Sequence, residues 1–255
     1  MNFVDSHAHI YLDDFKDDLD KVIETANKKG ISTILMPAID SSTHVAMLQT
    51  EQAYSDSCRS MMGLHPCSVK DDYQKELAQV LDYLSRRKFV AIGEIGLDFY
   101  WDVSFQGQQY DTFQRQIGWA LSYDIPVVIH SRNAVDECIQ VVQDHQDGNL
   151  KGVFHCFSGT IDQARKIIEL GFYLGIGGVL TYKNSGLDKV MSEIGLANVI
   201  LETDAPYLTP VPFRGKRNEP GHITIVGEKL AEINNIPVNE IANITTQNAQ
   251  KLFGL

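Results

Sequence analysis

The sequence predicts a closed (β/α)8 TIM barrel of the α/β class, on three observations. Short apolar runs recur eight times, longer amphipathic stretches separate them, and residues able to do chemistry gather where the runs end. A chain of 255 residues is an ordinary size for such a barrel. No linker rich in Pro, Gly or Ser divides it, so a single barrel domain over residues 1–255 is expected. Alternation of this kind implies parallel strands joined by crossover helices. An open doubly wound sheet is the competitor, but it usually places a Gly-rich phosphate turn after its first strand. Here that turn reads DSHAHI, residues 5–10, with no glycine.

The elements follow in order. FVD (3–5) leads to a helical stretch at 15–29, STILMPAI (32–39) to one at 42–55, and SMMGLH (60–65) to one at 73–87. FVAIGEIG (89–96) precedes a helix over 105–123, and PVVIH (126–130) one over 133–146. GVFHCF (152–157) precedes 161–170, and FYLGIG (172–177) precedes 185–195. NVILETD (198–204) is followed by two helices, 221–234 and 238–253. Thr160 is placed as an N-cap before IDQARKIIEL, and Gly171 as the stop after it.

With 44% hydrophobic and 22% charged residues and no low-complexity tract, the chain can bury a large core. No apolar run approaches a membrane span, and no basic region followed by an apolar core marks a signal peptide. A cytoplasmic protein with no membrane partner and no obligate protein partner is therefore expected. Cys58, Cys67, Cys138 and Cys156 fall at no CxxC spacing and read as reduced thiols. Cys156, beside His155, reads as a small buried filler and not as a nucleophile. The net charge of −11 excludes a protein that coats nucleic acid through a basic surface. It leaves open an enzyme that holds phosphate with metal ions and a local Arg cluster.

Barrel enzymes build their sites at the C-terminal ends of strands. In DSHAHI, alternate positions Asp5, His7 and His9 share a face if the segment is extended. The third run ends at His65 in GLHP, and the fourth carries Glu94 and Asp98 in GEIGLD. The fifth ends at His130, the sixth carries His155 in HCFSG, and the eighth ends in Glu202 and Asp204. Five of the eight histidines thus stand at strand ends, where burying them without a shared partner would be costly. His44, His145 and His222 read instead as solvated or locally bonded imidazoles. Neutral imidazoles with carboxylates and no Cys cluster suit Zn, Mn, Fe, Co or Ni, whereas Mg or Ca favour an all-oxygen shell. His7, His9, His130, His155, Glu94 and Asp204 are too many for one ion with an open position. They suffice for two, with Glu94 between them.

The set DSHAHI, GLHP, GEIGLDFY, IHSR, HCFSG, ETDAPYL and RGKRNEP resembles the TatD family of metal-dependent deoxyribonucleases, within the amidohydrolase-like barrels. The likeness runs from residue 5 to the C-terminus. It implies two divalent ions (Mg, Mn or Zn), a water activated between them, and hydrolysis of phosphodiesters in DNA ends or short oligonucleotides, often 3′→5′. By the same likeness His7 and His9 hold one metal, His130 and His155 the second, and Glu94 bridges. Asp204 is a ligand of the first and the base for water, and His65 contacts phosphate; Glu202 is expected, from its place beside Asp204, to support it. Many binuclear relatives bridge with a modified Lys at the end of strand four. Here Lys88 precedes that strand and Glu94 takes the place.

The basic segment RGKRNEP (214–220) offsets the acidic total, and Arg214 and Arg217 are expected to bind substrate phosphate. Glu219 is expected to hold an Arg in place. Phe99, Tyr100 and Trp101 offer a stacking surface for an unpaired base, with core or rim packing as the competing reading. The alternative activity is a metal-dependent amide, lactone or small phosphoester hydrolase on the same barrel. A noncatalytic protein stabilised by metal is a third reading, disfavoured because structural sites are usually closed.

Overall fold

Eight parallel strands and nine α-helices form in the predicted order in a computed structural model, which describes residues 1–255. The strands are β1 Phe3–Asp5, β2 Ile31–Met36, β3 Cys58–Ser60, β4 Ile92–Asp98, β5 Val127–Arg132, β6 Gly152–Phe154, β7 Tyr173–Ile176 and β8 Val199–Leu201. The helices are α1 Leu19–Lys28, α2 Ser41–Ala53, α3 Tyr73–Arg86, α4 Gln106–Tyr123, α5 Val135–His145, α6 Ile161–Glu169, α7 Leu187–Ile194, α8 Ile223–Asn234 and α9 Val238–Phe253. Thr160 does cap α6: its hydroxyl accepts from Gln163 N–H at 3.2 Å, and Gln163 returns a bond to Thr160 N–H.

Hydrogen-bonded pairing makes two arcs, β1-β2-β3 and β4 through β8. Two narrow seams close them into a barrel. At one, Met62 bridges to Ile92. At the other, Ala8 bridges to Ala205, Ser6 N–H reaches the Leu201 carbonyl at 3.1 Å, and Asp204 N–H reaches the His7 carbonyl at 2.8 Å. Asp5 fastens this second seam: Thr203 donates to it through its amide at 2.9 Å and its hydroxyl at 2.6 Å. Asp5 is thus a structural clasp, while His7 and His9 go to the mouth.

The third strand, Cys58–Ser60, lies before the run at 60–65 expected to form it and shares only Ser60 with it. After Ser60 the chain leaves regular pairing and turns at Pro66, which lacks the N–H a ladder needs. Inside the barrel, Val4, Leu35, Met61, Ala91, Val128, Val153, Tyr173 and Ile200 form one apolar layer, a residue from each strand or its edge. Leu252 and Phe253 of α9 join it. Asn248 bonds the Leu196 and Val199 carbonyls and Thr246 bonds the Asn2 carbonyl, so α9 closes the N-terminal end of the barrel. The opposite end stays open to carry chemistry. No helix is long and apolar enough to cross a membrane.

One glycine is decisive for placing the site. Gly96 has φ +134°, and a Cβ there would lie 2.0 Å from the His130 carbonyl oxygen. Only glycine lets β4 and β5 pair in the register that sets Gly96 against His130 and Asp98 against Arg132.

Candidate metal centre and active site

Glu94 lies at the middle of the mouth, and its two oxygens face different partners. Oε2 is 3.1 Å from His7 Nε2 and 3.6 Å from His9 Nε2. Oε1 is 2.8 Å from His130 Nδ1, 3.3 Å from His155 Nε2 and 3.4 Å from His65 Nε2. Asp204, on the turn after β8, brings Oδ1 within 3.7 Å of His7 Nε2 and 3.6 Å of His9 Nε2. All six predicted metal ligands and His65 therefore meet in one cluster. Three sets of donors are close enough to share an ion: His7, His9 and Glu94; His7, His155 and Asp204; His65, Glu94 and His130.

The surrounding hydrogen bonds fix which imidazole nitrogens carry lone pairs. Tyr11 donates its hydroxyl to the Pro37 carbonyl at 2.5 Å, so it accepts from His9 Nδ1–H at 2.9 Å and leaves His9 Nε2 bare. His155 Nδ1–H donates to Glu202 Oε1 at 3.1 Å, which bares Nε2 in the same way. His7 Nε2 and His9 Nε2 approach to 3.3 Å. His9 Nε2 lies 3.6 Å from oxygens of both Glu94 and Asp204, and His155 Nε2 lies 3.3 Å from Glu94, so bare lone pairs face carboxylate oxygens and repel unless a cation lies among them. This is the observation that the cluster fits metal. His65 behaves differently. Its Nδ1 accepts the Cys67 N–H at 3.0 Å, so in the neutral ring Nε2 carries the proton. A protonated nitrogen cannot ligate, but it can donate to an oxyanion.

Electrostatics agree with this division. Burial, reinforced by neighbouring His155, lowers the pKa of His7; burial likewise lowers His9 and His155, keeping all three neutral. Burial alone would raise Glu94, but His155, His65, His7 and His130 around it hold it well below the usual carboxylate range. Burial also opposes the imidazolium of His130, yet Asp98 and Glu94 outweigh it and raise His130 to about 9. Burial pushes Asp204 and Glu202 up to about 7 each. Cys156 has its thiol pushed far up by burial, which disables it as a nucleophile and fits the filler role expected for it. All four cysteines are free.

Two carboxylates orient the candidate ligands from behind. Asp98 Oδ2 accepts from His130 Nε2 at 2.7 Å, turning Nδ1 toward Glu94. Glu202 also accepts the Cys156 N–H at 2.6 Å, and it fits only because residue 175 is glycine: a Cβ there would lie 2.3 Å from Glu202 Oε2. Carboxylates behind metal-binding imidazoles fix tautomer and raise ligand basicity.

The predicted phosphate contacts divide. His65 lines the open cleft over the cluster, a space of about 1180 Å³. Arg214 and Arg217 do not line it. Arg217 is bound instead to Asp18 through two bonds of 2.8 Å and to Glu219 at 2.9 Å, so Glu219 holds it as expected, and its guanidinium is spent. Arg214 lies over the Tyr182 ring at 4.5 Å. The arginine that does line the cleft is Arg132, which lies outside the basic segment. Its signal was present in IHSR: two places after His130, it falls on the same face of β5. Trp101 lines the cleft and is 68% exposed, whereas Phe99 packs on the core. Of the remaining histidines, His145 bonds the Val141 carbonyl at 2.8 Å and His222 bonds Asn218 at 3.0 Å, as expected. His44 departs from expectation: it is buried edge-on to Tyr83 at 5.3 Å.

A parallel barrel whose mouth gathers four imidazoles and two carboxylates is the architecture of a metal-dependent hydrolase. The family model described as TatD related DNase matches residues 4–254, and the chain belongs to the TatD family of metal-dependent hydrolases. The metal-dependent hydrolase YabD of Bacillus subtilis is 37% identical over 250 residues, covering 98% of each chain. The human deoxyribonuclease TATDN3 is 31% identical over 265 residues, covering 99% of this chain and 95% of the relative. Among solved structures, the TatD homologue YjjV of Escherichia coli superposes with a TM-score of 0.90 at 32% identity, covering 99% of this chain and 98% of that one.

Proposed function

We propose that this hydrolase cleaves phosphodiester bonds at DNA ends or in short oligonucleotides, with 3′→5′ polarity, using two divalent ions. The observation that carries the reading is the split of Glu94, whose two oxygens address separate sets of imidazoles. His7, His9 and Asp204 would hold one ion with Glu94, and His130 and His155 the other. Two such ions supply Lewis-acid polarisation of a phosphodiester oxygen and a lowered pKa for the attacking water; Mg, Mn and Zn are the candidates.

The chain's own residues do the rest. Asp204 takes the proton of the attacking water: its side chain is 13% exposed, against 0% for His7, 4% for His9 and 3% for Glu94, so of the residues around the first ion it faces the cleft most openly. A buried carboxyl titrating near neutrality suits that task. His65 donates Nε2–H to a phosphate oxygen. Asp98 and Glu202 hold the imidazoles at fixed angles. The cleft exceeds the ~300–1,000 Å³ typical of small-molecule pockets, which supports a chain-like substrate.

The test is to strip the protein of metal and supply 3′-labelled and 5′-labelled single-stranded DNA with Mg, Mn, Zn or none, with His7→Ala in parallel. Metal-dependent shortening from the 3′ end, lost in the variant, is expected. No cleavage with any of the three metals would sink the nuclease reading and direct a screen toward esters and amides.

A further inference from the structure

We propose that Arg132 binds a phosphate next to the one being cleaved, so that the site selects a nucleotide chain over a small phosphodiester. The inference rests on the phosphodiesterase reading above and extends that site outward by one named residue.

The chain has eight arginines. Arg86, Arg87, Arg115, Arg165 and Arg217 are all paired with carboxylates. Arg59 spends its guanidinium on the Ser55 and Cys58 carbonyls. Arg132 and Arg214 alone have no acid partner, and of these only Arg132 lines the cleft. In a protein of net charge −11 an unpaired guanidinium beside a buried metal centre is a selective feature. Asp136 and Glu137 stand on the same wall of the cleft without pairing with it.

The mounting of Arg132 is built, not incidental. Its Cζ lies 3.9 Å from the centre of the Tyr100 ring and 5.4 Å from that of Trp101. A guanidinium resting on aromatic faces is held in place while its in-plane donors remain free for an oxyanion. The aromatic turn is itself pinned. Asp98 Oδ1 accepts the N–H groups of Tyr100 at 2.9 Å and Trp101 at 3.0 Å, and Phe99 N–H reaches the Arg132 carbonyl at 3.0 Å. The other oxygen of Asp98 is taken by His130, so the acid aligned with Arg132 across the β4–β5 register does not neutralise it. His130 and Arg132 share a strand face two residues apart, ~6.6 Å along the strand. That separation is on the scale of one nucleotide, which sets Arg132 beyond the scissile position and toward the next phosphate.

Binding and turnover together test this. A labelled single-stranded octanucleotide is titrated against metal-free wild type, Arg132→Gln, Arg132→Lys and, as a charge-matched control, Arg165→Gln, over a range of salt. In Arg132→Gln the slope of log affinity on log salt should become shallower by ~0.7, the value for one phosphate on a single strand. KM for the octanucleotide in added metal should rise about 10–100-fold, as loss of a charge-assisted bond predicts. Turnover of bis(p-nitrophenyl) phosphate should stay as in wild type. Arg132→Lys should restore the slope, and Arg165→Gln should change neither. An unchanged slope and KM in Arg132→Gln overturns the inference, as does an equal loss on both substrates, which would put Arg132 on the scissile phosphate. A wild-type protein that hydrolyses the small diester but neither binds nor shortens the octanucleotide overturns the DNA reading and this inference with it. Oligonucleotide turnover in wild type with a silent Arg132→Gln removes the inference alone.

Discussion

A divalent cation entering this cluster meets donors in different protonation states. Burial leaves His7, His9 and His155 neutral at pH 7, ready to ligate. His130 is not ready. Despite its burial, Asp98 and Glu94 raise it to about 9, so it carries a proton at neutral pH that a metal must displace. Asp204, pushed by burial to about 7, is half protonated there. The ligating form of each is the deprotonated one, and each folded-state pKa lies at or above pH 7. Metal binding at pH 7 must therefore release protons, and affinity must rise with pH between about 6 and 9. Calorimetric titration in two buffers of different ionisation enthalpy measures the number released. A heat that is the same in both would mean that His130 stays protonated and does not ligate.

At the scale of elements, the β4–β5 pair carries Glu94, His130 and Arg132, and Asp98 is its hub. One oxygen orients His130 and the other folds the Tyr100–Trp101 turn. Asn at 98 keeps an acceptor for the turn but removes the charge behind His130. Asp98→Asn should leave thermal unfolding nearly unchanged and weaken metal affinity about 10–100-fold, as for other ligand-orienting groups. A competition titration with a chelating dye would read this directly, and an unaltered affinity would show that Asp98 serves the turn alone. Seven of the strands were legible because two-sided burial writes each as a continuous apolar run, and Thr160 and Gly171 marked α6 by cap chemistry. Strand ends were less legible. The run at 60–65 has strand composition, but the strand lies at Cys58–Ser60, and beyond it only Met62 makes a bridge, to Ile92. The hub role of Asp98 was hidden for another reason. Tyr100 and Trp101 are local turn partners, but His130 lies 32 residues further along, and only the register brings it to Asp98.

At the scale of the whole molecule, the barrel separates stability from chemistry. Its N-terminal end is closed by α9 and an apolar layer, while its mouth concentrates buried imidazole lone pairs and carboxylates that repel one another without a cation. The gathering of five histidines at strand ends made the mouth readable in the sequence, since a parallel barrel sends all those ends to one rim. The fate of Arg217 was not readable. Asp18 lies 199 residues earlier in the chain, and only closure of the barrel brings it to that guanidinium. Because the repelling donors exist only in the folded state, metal should act as a folding ligand. At about 100 times its Kd it should add ~2.7 kcal/mol, or about 5–10 °C in Tm for a chain of this size. Phe253→Ala, at the closed end, should cost about 3–5 kcal/mol yet keep the metal-induced rise, because it leaves the mouth intact. His7→Ala should remove a ligand of one of the two ions and diminish the rise. Differential scanning calorimetry of both variants with and without metal separates the two ends. A rise that survives His7→Ala in full and disappears in Phe253→Ala would mean that the stabilising cation binds away from the mouth.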